Sequence, residues 1–370
     1  MFLSIILLAL VGVFLGTVDA AKNVPRTSES HVEALIDWLC SKGGTFNSKL
    51  EIRRTDLNSK ETRVGMFAKG NIERKDILLE IPLNCLITSG SPQVGDRVLL
   101  NYEEYGDWIG GEVVAHESES GNNTYDVKYD YGFKQMRVSS TSLQKEFDEA
   151  LICDTIQNLI TEIRLGADSE FSPYVRFLLD QEYVQLPSVW SQAGKDLLSH
   201  ILEDGLPSLW ATEWSLSEKC GEKNDPLEEK ARTIQMQRGW DDILIPIYDI
   251  LSHRNGHHLN TEHDSILWSK SVVVRASRDI LAGEEIHTSY NFCAGCGGRE
   301  GIYGTAEIFR DYGFVEQYPQ LWLFPKFGIA FSIYQENQED IKVKWIRSKP
   351  SREGMVYLEG QYWRLKHLAA

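Results

Sequence analysis

The sequence predicts a mixed α+β protein whose β-rich core is interrupted by a small β-barrel and by a helical segment. Three observations support this fold class. Strand-like runs occur before residue 90, four or five short strands follow at close spacing up to residue 145, and a helical pattern then continues to about residue 230, after which strands return. A chain of 370 residues is long enough to bury a core and to contain two or three domains.

The N-terminal residues 1–20 have the composition of a signal peptide. Residues 2–18 are almost wholly apolar, and Val18-Asp19-Ala20 places small residues at the cleavage positions. The apolar run is short for a membrane span, and no later segment is apolar enough to form one, so we expect no stable membrane insertion after cleavage. A basic region before the run is missing, which leaves an uncleaved signal anchor as the alternative. This pattern predicts the secretory pathway, and in an alga with complex plastids it would be the first half of a plastid address.

The segment 21–90 contains a short Ser/Thr-rich linker, one helix and two strands. Apolar residues at helical spacing predict a helix over 31–40. Apolar runs predict the strands Val64–Ala68 and Ile77–Pro82, with a turn over 70–76 between them. We therefore expect this segment to be rich in β-hairpins.

The barrel is predicted for residues 91–145. The run 94–100 alternates polar and apolar residues, as a half-buried strand should, and further strands are expected at 108–116, 125–129 and 133–138. Short strands at such close spacing are typical of a small barrel.

The helical segment covers residues 146–236. Its first helix carries apolar and small residues on one face: Leu151, Ile152, Thr155, Ile156, Leu159 and Ile160. Pro173, Pro187 and Pro207 separate further short helices.

Strands return in the segment 237–318. They are expected at 243–247, 272–276 and 285–290, and one more helix begins at Ala306. The C-terminal extension 319–370 has mixed strand-like character and no recognisable chemistry.

Six cysteines permit disulfides in a secretory protein, but the chain is too large to need them as a framework. Cys85 and Cys153 lie in apolar stretches that suggest a core environment. Cys293 and Cys296 form a CxxC pair, which is compatible with a disulfide, half a zinc site or two loop thiols. Two cysteines do not complete a tetrahedral zinc site, and no nearby histidine has ligand spacing, so we expect no metal.

The charge composition limits the classes of partner. The chain has 54 acidic and 38 basic residues, which give a formal net charge of −16. Binding to nucleic acid regardless of its sequence needs a basic surface, so we expect no nucleic-acid partner. A basic protein would be steered toward an acidic surface, although the same charge also serves plain solubility.

Four stretches together, in order, resemble the SET domain of Rubisco large-subunit lysine methyltransferases and of the related actin-histidine methyltransferases. They are Val64-Gly65-Met66-Phe67-Ala68 with Leu79-Glu80-Ile81-Pro82, the helical segment from Leu159 to Trp190, Ile245-Pro246-Ile247-Tyr248-Asp249-Ile250-Leu251-Ser252-His253, and Gly283-Glu284-Glu285-Ile286-His287-Thr288-Ser289-Tyr290, followed by Asp311-Tyr312-Gly313-Phe314. The resemblance covers roughly residues 28–90 and 147–318. It implies a SET-type β-rich core that is built from the chain before the helical insert and the chain after it.

The same resemblance implies methyl transfer from S-adenosylmethionine to a nitrogen of a protein side chain, lysine before histidine. Tyr290 matches the tyrosine that lines the methyl passage, where oriented oxygens favour the positive charge on the methyl group; a strand-end core tyrosine is the alternative. Cofactor contacts are implied for Gly65, Met66, Phe67, Arg238, Ser252, His253 and Tyr312. Ser252 departs from the family pattern, which has Asn, and serine is shorter and keeps only one donor.

Residues 91–145 resemble a Tudor domain, of the SH3-like barrel type, inserted into the SET fold. Four aromatic residues match the positions of a cage that attracts methylated cations: Tyr102, Trp108, Tyr129 and Tyr131. Some of these rings could instead belong to the core of the barrel, because buried aromatics are common for packing reasons. The alternative function is therefore a non-catalytic SET scaffold whose barrel binds a methylated protein ligand.

Overall fold

The computed structural model describes most of the chain from residue 29 onward. The described residues are 29–55, 64–102, 107–119, 122–139, 143–146, 149–183, 190–194, 196, 220, 225–263, 271–291, 303–324, 327–337, 340–346 and 350–368. The predicted signal peptide lies outside them, as do Cys293 and Cys296. Within the described ranges, no helix is both long and apolar enough to cross a membrane.

The N-terminal segment forms one helix and four strands. These are α1 (Glu29–Ser41), β1 (Thr45–Phe46), β2 (Leu50–Arg54), β3 (Val64–Ala68) and β4 (Ile77–Pro82). The predicted strands β3 and β4 are confirmed, but they do not pair with each other: β3 pairs with β2, and β4 pairs with β1. All five residues of β3 are buried, because core elements cover the strand on both faces.

The inserted segment forms a five-stranded antiparallel sheet. Its strands are β5 (Arg97–Tyr102), β6 (Asp107–Glu119), β7 (Asn122–Tyr129), β8 (Lys134–Ser139) and β9 (Leu143–Lys145). Their order is β8-β7-β6-β5-β9, and no ladder joins the outer strands β8 and β9 among the described residues. A closed barrel is therefore not confirmed. The sheet has its own apolar core, separate from the main one: Val98, Leu100, Val113, Tyr125, Val127, Tyr129 and Val138.

The two ends of this sheet lie side by side where the chain enters and leaves it. The backbone N–H of Glu146 donates to the carbonyl of Arg97 at 2.9 Å. The ammonium group of Lys145 donates to the carbonyl of Ser89 at 3.2 Å, just before the segment begins. An insertion with adjacent ends is tolerated because the host chain continues almost where it stopped.

Replacing residues 91–145 by a short Gly/Ser linker should leave the remainder of the chain folded. The reason is that the sheet has a separate core and adjacent ends. Circular dichroism should show one cooperative thermal transition for the shortened chain. A matched deletion that also removes 149–165 should abolish the transition, because that helix contributes to the main core. Loss of cooperativity in the first variant would contradict an independent module.

Three described helices follow the insert. They are α2 (Glu149–Leu165), α3 (Ser172–Asp180) and α4 (Pro226–Arg238). The start of α4 has a clear local cause, since the Asp225 side chain accepts the N–H of Leu227 at 2.9 Å and Pro226 occupies the first turn. Cys153 of α2 is disulfide-bonded to Cys220, a pairing that the sequence did not predict. Their spacing of 67 residues gave no local signal for it.

The second half of the core consists of short strands. They are β10 (Gly239–Trp240), β11 (Ile243–Leu244), β12 (Ser252–His253), β13 (Thr261–His263), β14 (Ser271–Ala276) and β15 (His287–Thr288). A four-stranded sheet of order β1-β4-β14-β13 joins the two halves of the chain. A parallel pair of β12 and β15 places Ser252 beside His287.

The strand predicted over 243–247 is wrong at its end. β11 stops at Leu244, and the buried Ile247 has φ 68° and ψ −40°. This conformation is rare for a β-branched residue and turns the chain out of the strand. The short 3₁₀ turn Tyr248–Ile250 begins directly after it and positions Asp249.

The C-terminal region forms a second apolar cluster. Its elements are α5 (Thr305–Tyr312), β16 (Gln320–Phe324), β17 (Ile329–Asn337), β18 (Asp340–Trp345) and α6 (Arg352–Leu368). The three strands form one antiparallel sheet, which agrees with the strand-like character of the sequence. The helix α6 was not predicted.

Candidate functional site

Two cavities meet on the side of the core where the chain halves join. The larger has a volume of about 620 Å³ and the smaller about 80 Å³. The two cavities share five of their lining residues: Gln237, Arg238, Asp249, Tyr290 and Tyr312. Three of the residues named from the sequence, Arg238, Tyr290 and Tyr312, thus lie at the junction.

Tyr290 is held at this junction from both ends. Its backbone N–H donates to Nδ1 of His253 at 2.9 Å, and its hydroxyl donates to the carbonyl of Leu251 at 2.8 Å. Its ring lies 5.1 Å from the ring of Tyr312. The side chain therefore has a fixed direction, and its hydroxyl proton is directed at a carbonyl.

Arg238 and Tyr312 reach the junction as the last residues of two helices. Gly239 follows α4, where a Cβ would lie 2.5 Å from the carbonyl oxygen of Gln235, so only glycine lets the chain leave the helix there. Gly313 ends α5 with φ 75°, the usual left-handed helix end. Both side chains thus extend from rigid elements.

A buried polar network lies beneath Arg238. Its guanidinium donates to the backbone carbonyl of Asp249 at 2.6 Å, and the Tyr174 hydroxyl donates to the carboxylate of Asp249 at 3.0 Å. Burial raises the pKa of Asp249 to about 6, although Arg238 and Tyr174 oppose this shift. Within the described part of the chain, Oδ1 of Asp249 is buried without a hydrogen-bond partner.

His253 is buried and lines the larger cavity. Because its Nδ1 accepts the N–H of Tyr290, the ring proton is on Nε2, which lies 2.5 Å from the carboxylate of Glu316. This pair fixes the imidazole and, through it, the backbone of Tyr290.

Glu316 was not identified from the sequence, yet it holds the site together. Its side chain is 1% exposed. Its two oxygens accept hydrogen bonds from five donors: His253 at 2.5 Å, Asn255 at 3.0 Å, Asn291 at 3.3 Å, the Thr305 hydroxyl and the N–H of Leu321 at 2.9 Å. The only feature of the sequence that could have identified it was its position two residues after the Asp311–Phe314 motif.

Ser252 also lines the larger cavity, where it is paired with a second acidic residue. Its hydroxyl donates to Oε1 of Glu285 at 2.6 Å. Nε2 of His287 lies 3.5 Å from the other carboxylate oxygen. At the position where the SET pattern noted in the sequence has asparagine, this chain has a serine bonded to a carboxylate.

Gly65, Met66 and Phe67 lie against this region rather than in the cavity lining. Along the hairpin β2–β3, the cavity is lined by Thr55 and Val64, and not by these three residues. The Met66 carbonyl accepts the N–H of Ile286 at 2.8 Å, so the strand packs on the segment that carries Glu285. Of this strand, only its first residue, Val64, lines the cavity.

The smaller cavity has an aromatic wall. The rings of Trp240 and Tyr248 are stacked with centroids 5.2 Å apart, and His263 meets Trp240 edge-on at 4.5 Å. Tyr303 completes the wall opposite and donates to Asp311 at 2.7 Å. Tyr290 lines the same cavity.

The predicted cage residues lie on the inserted sheet. Tyr129 is 2% exposed and its hydroxyl donates to Gln135, whereas Tyr131 is 65% exposed. The two rings are stacked with centroids 5.1 Å apart and an angle of 5° between their planes. Tyr129 thus packs in the core of the sheet. The side chains of Tyr102 and Trp108 lie outside the described part of the structure.

Comparisons with known proteins found similar solved structures and one matching family. A structure of Rubisco LSMT bound to AdoMet is similar, with a TM-score of 0.43 and 14% identity, over 91% of this chain and 76% of that one. The SET domain of LSMT bound to lysine and AdoHcy gives a TM-score of 0.42 and 13% identity over the same shares. No curated protein matches the sequence. In the described ranges, no cluster of His, Cys, Asp or Glu could hold a metal ion. The family model for the SET domain matches residues 63–291, more than half of the chain, and the protein therefore belongs to the SET domain family.

Proposed function

We propose that this protein transfers a methyl group from S-adenosylmethionine to a side-chain nitrogen of a protein, with lysine as the preferred target. The observation that carries this proposal is the meeting of two cavities at Tyr290 and Tyr312. Such a geometry lets a cofactor enter from one side and an acceptor side chain from the other. In-line displacement requires that arrangement, because nucleophile and leaving group lie on opposite faces of the transferred carbon.

The larger cavity fits the cofactor. Its volume of about 620 Å³ is within the usual range for ligands of this size. Arg238 and Arg254 supply positive charge for a carboxylate, and Tyr312 and Phe314 supply aromatic surface for a base. The buried Oδ1 of Asp249 offers an acceptor that no described residue uses.

The smaller cavity supports lysine rather than histidine as the acceptor. Trp240, Tyr248 and His263 confine it with ring surfaces, which suit a flexible stem of methylene groups. The net charge of −16 further favours a basic protein substrate.

Each residue at the junction has a defined role in the proposed reaction. When bound, S-adenosylmethionine supplies a methyl group on a sulfonium, which an unprotonated nitrogen can attack. The Tyr290 hydroxyl donates its hydrogen bond to the Leu251 carbonyl, so its oxygen can accept an N–H and orient the attacking nitrogen. Oxygens at the passage also favour the positive charge on the methyl group. His253 and Glu316 keep the tyrosine backbone in place.

Calorimetric titration of residues 21–370 with S-adenosylmethionine should show one binding site. Incubation with isotope-labelled cofactor and a mixture of basic proteins should then transfer label to lysine, as identified by mass spectrometry. Label on histidine would overturn the target preference but not the reaction. Absence of cofactor binding would reject the enzyme assignment.

In that last case the alternative function would be favoured: an inactive SET scaffold with a Tudor-like sheet that binds a methylated ligand. The flat stack of Tyr129 and the exposed Tyr131 supports it, since a methylated cation could lie on the outer ring. We further propose that residues 1–20 direct the chain into the secretory pathway.

A further inference from the structure

We propose that Glu285 binds the ammonium group of the amino-acid part of S-adenosylmethionine, with Ser252 orienting its carboxylate. This inference rests on the proposed function. It assigns to this chain a charged acceptor at the place where the family pattern has a neutral asparagine amide. Ser252 and the carboxylate beside it would then together occupy the place of the family asparagine and bind the ammonium.

The position of Glu285 is set by the strand that precedes the cavity. Phe67 and Glu285 form an isolated antiparallel bridge, which brings the 284–286 segment against β3. Oε1 of Glu285 lies 2.8 Å from the point where a Cβ on Gly65 would be. The Glu285 side chain therefore lies against the bare backbone of Gly65, where a side chain would block it, and lines the cavity.

The carboxylate of Glu285 is ionised at neutral pH. Burial alone would raise its pKa, but the hydrogen bonds from His287 and Ser252 outweigh burial and hold the pKa below its usual value. Its side chain is 23% exposed, and the Ser252 hydroxyl fixes one of its oxygens at 2.6 Å. A fixed negative charge thus faces the cavity before any ligand arrives.

The charges around the cavity match an amino-acid zwitterion. Arg238 and Arg254 can receive the carboxylate of such a ligand, which leaves the ammonium to be matched by an anion. Asp249 is a poorer candidate because burial raises its pKa to about 6. Glu182 also lines the cavity but is exposed. Of these three acids, Glu285 combines a partly buried position with an orientation fixed by the Ser252 hydroxyl.

The test compares two ligands on three forms of the protein. S-adenosylhomocysteine carries the amino-acid part, whereas 5′-methylthioadenosine lacks it. Glu285→Gln keeps the shape and the hydrogen bond from Ser252 but removes the charge, and we expect it to weaken S-adenosylhomocysteine binding by about tenfold or more. Its affinity for 5′-methylthioadenosine should not change. Glu284→Gln is the matched control, because that neighbouring carboxylate pairs with Arg278 outside the cavity, and it should behave as wild type.

The outcomes separate this inference from the proposed function. If the wild type binds S-adenosylhomocysteine and Glu285→Gln binds it equally well, the role of Glu285 is wrong while the cofactor assignment stands. An equal loss for both ligands would also overturn the role, because it would indicate a damaged cavity. If the wild type binds neither ligand, both proposals fail. Should Glu285→Gln not fold, the wild type itself decides: an analogue of S-adenosylhomocysteine with hydroxyl in place of the amino group should bind about tenfold more weakly.

Discussion

Changing Tyr290 to Phe should lower the rate of methyl transfer by about 100-fold or more, while S-adenosylmethionine affinity changes little. The variant loses one oxygen at the junction of the two cavities and keeps the ring that packs on Tyr312. The lost oxygen would no longer orient the attacking nitrogen or favour the charge on the methyl group. Arg238 and His253, which line the larger cavity, are unchanged in this variant.

The measurement is single-turnover methyl transfer at saturating cofactor, with calorimetry for the binding constant. Tyr334→Phe is a suitable control, because it makes the same chemical change in the C-terminal sheet, away from both cavities. A Tyr290→Phe protein as active as the wild type would remove Tyr290 from the reaction. A large loss of cofactor affinity would instead assign the hydroxyl to ligand binding.

Changing Glu316 to Gln should destabilise the fold by about 3 kcal/mol or more. The glutamine amide would direct its own N–H groups at donors that now bond to the carboxylate, among them His253 and the N–H of Leu321. Buried donors left without an acceptor cost about 1–3 kcal/mol each. Because Glu316 joins β12, α5 and β16, the loss should be felt across the whole site.

Urea unfolding of wild type and variant gives this difference directly. Glu51→Gln provides the contrast, since Glu51 pairs with Arg53 at the surface with 42% of its side chain exposed. That change should cost no more than about 0.5 kcal/mol. A Glu316→Gln protein with wild-type stability would mean that the buried hydrogen bonds are replaced by water or by local rearrangement.

Much of the site could be predicted because its residues belong to local motifs. Arg238, His253, Tyr290 and Tyr312 were all named from short stretches of sequence, and the structure brings them together around two cavities. Gly65 to Phe67 were named from the same kind of evidence; they are buried in β3, whose first residue, Val64, lines the cavity.

Glu285 and Glu316 could not be predicted in the same way. In a chain with 54 acidic residues, a single glutamate gives no sign that it will be buried. The partners that make both glutamates informative lie far away in sequence, 33 residues for Ser252 and 63 for His253. A pattern of neighbours along the chain carries no information about such pairs.

The strand errors have a related cause. The apolar run 243–247 has the composition of a strand, but the backbone of Ile247 leaves the β region. The helix α6 was missed because its apolar residues did not form a distinct helical stripe in the sequence. Tertiary packing decided both cases against local preference.

The four-stranded sheet that unites the halves of the core has a consequence for the order of events during synthesis. The Ser271 hydroxyl meets the carboxylate of Glu80 across 191 residues, on the paired strands β14 and β4. The inserted sheet closes much shorter loops, such as the 49 residues between Arg97 and Glu146. Local contacts form faster than distant ones, and domains emerge from the ribosome in order. The insert can therefore fold while β4 still waits for β14, so the apolar side chains of β4 remain exposed after the inserted sheet beside them is complete.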